Sequence, residues 1–225
     1  ADYAETFSGE LADDYSRPIN SYLPQGTMDK MVKTAYDAGS DSKYYVLGSG
    51  RMVYQEDAKI IETNGQLRAN TLKPQPVVRN QHATAITIEA DWRLPYNLQL
   101  LPQNYANPAK RNYAITTQTY TYVDILFYYT GGVAGNLDLT GDPLFSKAEW
   151  IKGSNHTYTL RLHLHRTGGF YGYGVQWNGN RLTFTFRYPT DITGNSTEKP
   201  LNGITVVIDP GHGGKSIGTR SEERR

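Results

Sequence analysis

The sequence predicts a mainly β protein, in which an antiparallel β-sandwich-like region is followed by the first strand and loop of an α/β unit. Three observations carry this reading. Segments alternating apolar and polar residues recur with period two, as in a strand with one buried face. Breaks rich in glycine and asparagine separate them without intervening helical patterns, which favours sandwiches and barrels built from antiparallel sheets. Close to residue 204 the alternation gives way to a nearly continuous apolar run, as in a strand covered on both faces. Composition agrees, since 22 glycines and 18 tyrosines against 3 methionines in 225 residues favour strands and turns over a helical bundle.

Residues 1–40 form a polar N-terminal segment, either separate or part of the first β unit, with Pro18 and Pro24 as breakers. Within it Thr27 to Asp37 is read as a short helix with Thr27 as N-cap. Residues 41–189 form the β-sandwich region. Tyr44–Leu47 and Arg51–Tyr54 flank Gly48-Ser49-Gly50 as a hairpin whose glycines supply positive φ. A strand is expected at Lys59–Thr63 with Asn64-Gly65 as its turn, and Val77 to Trp92 reads as one long extended segment. Asn97–Leu101 is a further strand, Pro102 to Lys110 a loop, and Tyr113 to Tyr129 either one long strand or two broken by a bulge. The run from Val123 to Tyr129 implies burial on both faces.

The clearest alternation sets Tyr158, Leu160, Leu162 and Leu164 against Thr159, Arg161, His163 and His165. Leu182, Phe184, Phe186 and Tyr188 repeat it, and Asn178-Gly179 just ahead is a type I′ hairpin signal. Phe170–Trp177 and Asn180–Tyr188 are therefore expected to pair antiparallel. Residues 190–202 lose all periodicity and are rich in linker residues, placing a boundary before residues 203–225.

Several function classes are disfavoured. The 23 basic and 22 acidic residues leave no surplus to hold nucleic acid. The absence of cysteine rules out disulfides and thiolate metal sites and gives no redox guide to compartment. No window approaches the ~18 apolar residues of a membrane span, and the first residues lack the charged and apolar regions of a signal peptide, so any export signal is expected to have been removed already.

The chemistry-bearing stretch is Asp209-Pro210-Gly211-His212-Gly213-Gly214, directly after the apolar strand and at the carboxyl end where open α/β sheets place their sites. Pro210 ends the ladder, and the glycines let the backbone turn sharply beside His212. An imidazole held at a rigid strand end is a good metal ligand. Asp209 either orients that imidazole through a hydrogen bond or caps the turn. Alone, one histidine in a glycine-rich loop reads more readily as an ordinary turn.

The longer string Ile204-Thr205-Val206-Val207-Ile208-Asp209-Pro210-Gly211-His212-Gly213-Gly214 closely resembles the start of the zinc-dependent N-acetylmuramoyl-L-alanine amidase catalytic domain, a family of bacterial hydrolases that cut peptidoglycan. The resemblance covers about a tenth of the chain and implies that His212 is the first zinc ligand. The family's remaining ligands and its catalytic glutamate have no counterpart here, because Glu222 and Glu223 lie in a string unlike the family's next motif. Residues 203–225 are thus expected to be the truncated start of an amidase domain. Zinc would serve the complete enzyme, with none tightly bound by this chain, which alone is expected to be inactive. Leu144 to Tyr188 also resembles the β-sandwich wall-targeting modules joined to such enzymes. The resemblance implies a secreted, cell-wall-associated parent protein, with peptidoglycan as partner. The alternatives are a carbohydrate-binding or adhesion module, or a structural spacer.

Other candidates read more simply. His163 and His165 could face a metal from one strand, but beside Arg161 and Thr159 they read as a solvated face with no nearby carboxylate. Gly168 to Gly174 leads into a strand and lacks the Lys-Ser/Thr of a phosphate loop. The 18 tyrosines, many expected to be exposed, could stack on sugar rings, although tyrosine is also simply a favoured strand residue. Asn155-His156-Thr157 and Asn195-Ser196-Thr197 match glycosylation acceptors and are incidental in a bacterial protein.

Overall fold

The computed structural model describes residues 22–39, 41–63, 67–102, 120–190, 197–199 and 201–202, together with the backbone of short strands at 3–4, 7–8, 105–107 and 112–115. The chain divides into two compact units, Ala1–Pro189 and Thr190–Arg225. In the second, the described residues include a turn closed by the Asn202 N–H on the Lys199 carbonyl at 3.2 Å.

The first unit is mainly β and sandwich-like. Its strands are β1 (Tyr3–Ala4), β2 (Phe7–Ser8), β3 (Leu23–Pro24), β4 (Met31–Asp37), β5 (Ser42–Leu47), β6 (Arg51–Tyr54), β7 (Asn70–Pro74), β8 (Val78–Arg79) and β9 (Ala83–Glu89). They continue as β10 (Tyr96–Leu101), β11 (Tyr105–Asn107), β12 (Asn112–Ile115), β13 (Tyr122–Phe127), β14 (Thr130–Val133), β15 (Phe145–Lys152), β16 (Tyr158–Leu164), β17 (Tyr173–Asn178) and β18 (Arg181–Arg187). One sheet has the order β10-β13-β16-β15, and the sheet facing it β14-β7-β9-β18-β17, with β8 beside β9. A third sheet, β2-β6-β5-β4, belongs to the N-terminal part. Pairing is antiparallel except for β14 on β7.

The two larger sheets bury one apolar layer between them. Val123, Ile125, Phe127, Leu160 and Leu162 come from one side, and Ile86, Ile88, Leu182, Phe184 and Phe186 from the other. Phe184 meets Tyr96 edge-on at 5.0 Å between ring centroids, and Phe186 meets Phe145 at the same separation. Burying each such ring stabilises the fold by about 1.5–3 kcal/mol. The period-two patterns of β16 and β18 therefore do what their sequence implies, sending every second side chain into this layer.

A polar tie joins the sheets at one end. Asp142 is 2 % exposed. Its Oδ1 accepts the N–H groups of Leu144 and Phe145 at 3.0 Å, where β15 begins. Its Oδ2 accepts the Thr84 hydroxyl of β9 at 2.7 Å and Arg79 Nε of β8 at 2.9 Å. A carboxylate that receives donors from both sheets fixes their separation as well as their alignment.

Several elements differ from the sequence reading. The helix expected over Thr27–Asp37 is not formed; Met31–Asp37 is strand β4, paired with β5 from Met31↔Leu47 to Asp37↔Ser42. Val32, Thr34 and Tyr36 suit a strand, and the Thr27 hydroxyl donates to the Pro24 carbonyl at 2.6 Å in a turn instead of capping a helix. Lys59–Thr63 is exposed and irregular rather than a strand, and Asn64-Gly65 lies outside the described residues. The single segment expected from Val77 folds back on itself. Asn80 Oδ1 accepts the N–H groups of His82 and Ala83, an Asx turn that lays β8 against β9. The loop expected after Pro102 includes strand β11, paired with β12. The β17–β18 turn falls one residue later than expected, because Asn178 pairs with Arg181. Only Gly179 there has positive φ, at 59°, the requirement of a II′ rather than a I′ turn.

Replacing Asp142 with Ala should lower the unfolding free energy in urea by about 3–5 kcal/mol, because it strands buried donors from both sheets. Asp142→Asn keeps an acceptor for the two N–H groups and should cost about 1–2 kcal/mol. Equal costs for the two variants would show that the charge, not the loop hydrogen bonds, makes the tie.

Candidate functional site

Strand register alone assembles a grid of side chains on the outer face of the four-stranded sheet. Directly opposed residues in adjacent strands share a face, so Gln99, Asp124, Arg161 and Glu149 form one row across β10, β13, β16 and β15. The next row runs Leu101, Tyr122, His163 and Lys147, and the row on the other side includes Leu126, Thr159 and Ile151. Beneath them, Val123, Ile125, Leu160 and Leu162 are fully buried in the core. The backing layer is what makes the outer rows rigid.

Within the grid the groups hold one another. Arg161 donates through Nε and Nη2 to the two oxygens of Asp124 at 2.8 and 2.7 Å, the two-pronged geometry that a lysine cannot reproduce. Its guanidinium lies over the Tyr122 ring at 4.0 Å from the centroid, a cation–π contact. The Asp124 hydrogen bonds are the main cause that raises the Arg161 pKa. In the same row Glu149 takes a hydrogen bond from Lys147 and lies 2.8 Å from His163 Nε2. Lys147 first, and His163 second, lower the Glu149 carboxyl to about 2. The result is a fixed alternation of charge, Asp124 negative, Arg161 positive and Glu149 negative, with the Arg161 side chain 27 % exposed and Asp124 12 %.

This arrangement corrects the reading of the histidines. His163 has a carboxylate beside it, Glu149, brought from another strand by pairing that spacing along β16 does not show. His165 lies beyond the end of β16 with its Nε2 2.9 Å from the Asp142 carbonyl, so the two imidazoles serve different neighbours. Among the described residues no group of three or more His, Asp or Glu is placed to hold a metal. His212 and Asp209 lie outside the described residues, as does Asn195.

Gly168 to Gly174 is a turn leading into β17, with Gly168 N–H bonded to the Tyr120 carbonyl at 2.8 Å. Among the described residues Tyr22, Tyr36 and Tyr171 are the strongly exposed ones, whereas Tyr44, Tyr96 and Tyr120 are buried. Tyr122 is half-buried under Arg161.

Asp124 and Glu149 were the site residues that sequence reasoning missed. Asp124 had a visible signal, a lone carboxylate inside the apolar run Val123–Phe127, which demands a partner when the strand is central. Glu149 had none, because its partner is set by the β15–β16 register. Comparison with protein-family models, curated proteins and solved structures gave no match. The fold and this face together define a mainly β, sandwich-like protein with a rigid ionic sheet face.

The Glu149 carboxyl should titrate near 2 by carbon-13 NMR, against an ordinary value of 4.5. Since the folded value is the lower one, its support of the fold is full above about 4.5 and fades as pH falls towards 2. Lys147→Met should move the midpoint back upwards, and an unchanged midpoint would assign the depression to His163 alone.

Proposed function

We propose that the β region is the non-catalytic wall-binding part of a secreted peptidoglycan amidase, and that it holds peptidoglycan on the outer face of the four-stranded sheet. Two lines support this reading. The string from Ile204 to Gly214 resembles the opening of the zinc-dependent amidase domain and carries the enzyme class, hydrolysis of the amide between the muramic acid lactyl group and L-alanine. The grid carries the binding role and is the observation on which that role rests.

A sugar ring offers an apolar C–H face and a rim of hydroxyls. The row of Gln99, Asp124, Arg161 and Glu149 supplies donors and acceptors for the hydroxyls, while the neighbouring row of Asn97, Leu126, Thr159 and Ile151 adds apolar side chains at Leu126 and Ile151, the latter 39 % exposed. Sites that fix a ligand's orientation combine these two kinds of surface. Preorganisation matters as much as composition, because side chains already locked in ion pairs lose little freedom on binding. Tethering an amidase to its polymer in this way raises the local substrate concentration without altering the chemistry.

The test is co-sedimentation of the full chain with purified peptidoglycan. Wild-type protein should pellet with the wall at micromolar concentration. Glu149→Gln should weaken the association by about tenfold, the scale of one hydrogen bond to a charged group. Ile151→Ser, at an exposed edge position, should weaken it by about threefold. If wild-type protein stays in the supernatant, the wall-binding role is wrong and a spacer role takes its place.

A further inference from the structure

Strand β4 is the outermost strand of the N-terminal sheet, and no described strand lies along its outer side. Every residue from Met31 to Asp37 is exposed or half-buried, with Val32 57 % and Tyr36 54 % exposed. An edge strand that shows apolar side chains and a row of open backbone groups is a template for another strand. The one irregularity of β4 against β5 falls between Met31 and Lys33. The stretch from Lys33 to Asp37 therefore runs regularly and can take a partner without a break in register.

The charges on this stretch say which partner fits. Lys33, Ala35 and Asp37 share one face of the strand, and Thr34 and Tyr36 the other. Lys33 is exposed and has no ion-pair partner among the described residues. Asp37 stands at the far end, where its Oδ1 accepts the Gly39 N–H at 2.9 Å. A lysine on an edge deters an added strand unless an opposite charge meets it. Two copies of the stretch laid antiparallel about a two-fold axis at Ala35 meet that condition. Ala35 then lies opposite itself, Lys33 opposite Asp37, and Thr34 opposite Tyr36. Each unlike pair occurs twice, because a two-fold interface uses the same patch on both subunits. Unlike charges, and a β-branched residue against an aromatic ring, are favourable cross-strand pairs. A slip of two residues in either direction sets Lys33 against Ala35 or Gly39 and leaves its charge unmet, so the sequence selects one register.

We propose that β4 pairs antiparallel with β4 of a second copy of this chain, joining two N-terminal sheets edge to edge in the register centred on Ala35. Tyr36 is oriented for the contact by its hydroxyl, which donates to Asp41 Oδ1 at 2.8 Å. The paired stretch is short, so the dimer is weak and concentration-dependent rather than obligate. The inference is independent of the wall-binding role of the four-stranded sheet face.

Sedimentation velocity of the full chain should show a monomer at micromolar protein and a dimer towards about 1 mM. Lys33→Glu, at an exposed position, should weaken the dimer by about tenfold or more, since it sets like charges against each other twice. Asp37→Lys should do the same, and an equimolar mixture of the two variants should dimerise again, because each charge then meets its opposite. The chain has no cysteine, so Ala35→Cys introduces a lone thiol that lies opposite its counterpart within disulfide range. Mild oxidation should link that variant into a covalent dimer about tenfold faster than Thr34→Cys, whose position faces Tyr36. A chain still monomeric at about 1 mM, a dimer that Lys33→Glu leaves unchanged, equal cross-linking at the two cysteine positions, or a mixture that stays monomeric while both charge variants keep the wild-type amide spectrum would each overturn the proposal.

Discussion

Two β layers without a disulfide between them need something besides apolar contact to stay aligned, because apolar packing is not directional. Asp142 provides that direction. It takes the first N–H groups of β15 on one oxygen and the Thr84 and Arg79 donors of the opposite sheet on the other. His165 reaches its carbonyl, and the Tyr188 hydroxyl meets Thr84 at 2.9 Å. The start of β15 is consequently fixed relative to β9, and with it the phase of every residue that β15 offers to β16. A slip of one residue would turn Glu149 inwards and Trp150 outwards.

The ionic face depends on that phase. Its members come from separate strands and meet only because β10, β13, β16 and β15 run side by side in one register. The large apolar side chains beneath, Phe127, Ile125 and Leu160 among them, leave no freedom for the strands to shift. Core and face are thus two readings of the same alternation, one residue apart. The Arg161–Asp124 fork adds little to that alignment but sets the orientation of both charges towards solvent.

What the sequence revealed and what it hid divide along physical lines. β16 and β18 were legible because their alternation is strict and their apolar residues are large. The hairpin at Gly48–Gly50 was legible from its glycines, and Gly50 indeed has φ of 82°. β4 was misread as a helix because its seven residues expose nearly every side chain, so no buried face imposed a period and pairing with β5 decided the outcome. β7, β14 and β15 passed unnoticed. β14 contains two glycines and lies parallel to β7, a long-range pairing that no local pattern announces, and β15 mixes charged and apolar residues without alternation. At the site, the types of residue were readable but their meeting was not: Arg161 and His163 were visible on one strand, while Asp124 and Glu149 arrive from either side.

β15 also forms one margin of its sheet, with its outer side unpaired by any described strand. Its register shifts between Phe145 and Lys147, so the strand is bulged at that end, and it carries Lys147 and Lys152 as exposed residues. Bulges and lysines are how natural sheets discourage an extra strand from adding itself. Lys147, which polarises Glu149, therefore also stands on the edge as a guard against self-association, and neutralising it would alter colloidal behaviour together with the Glu149 charge.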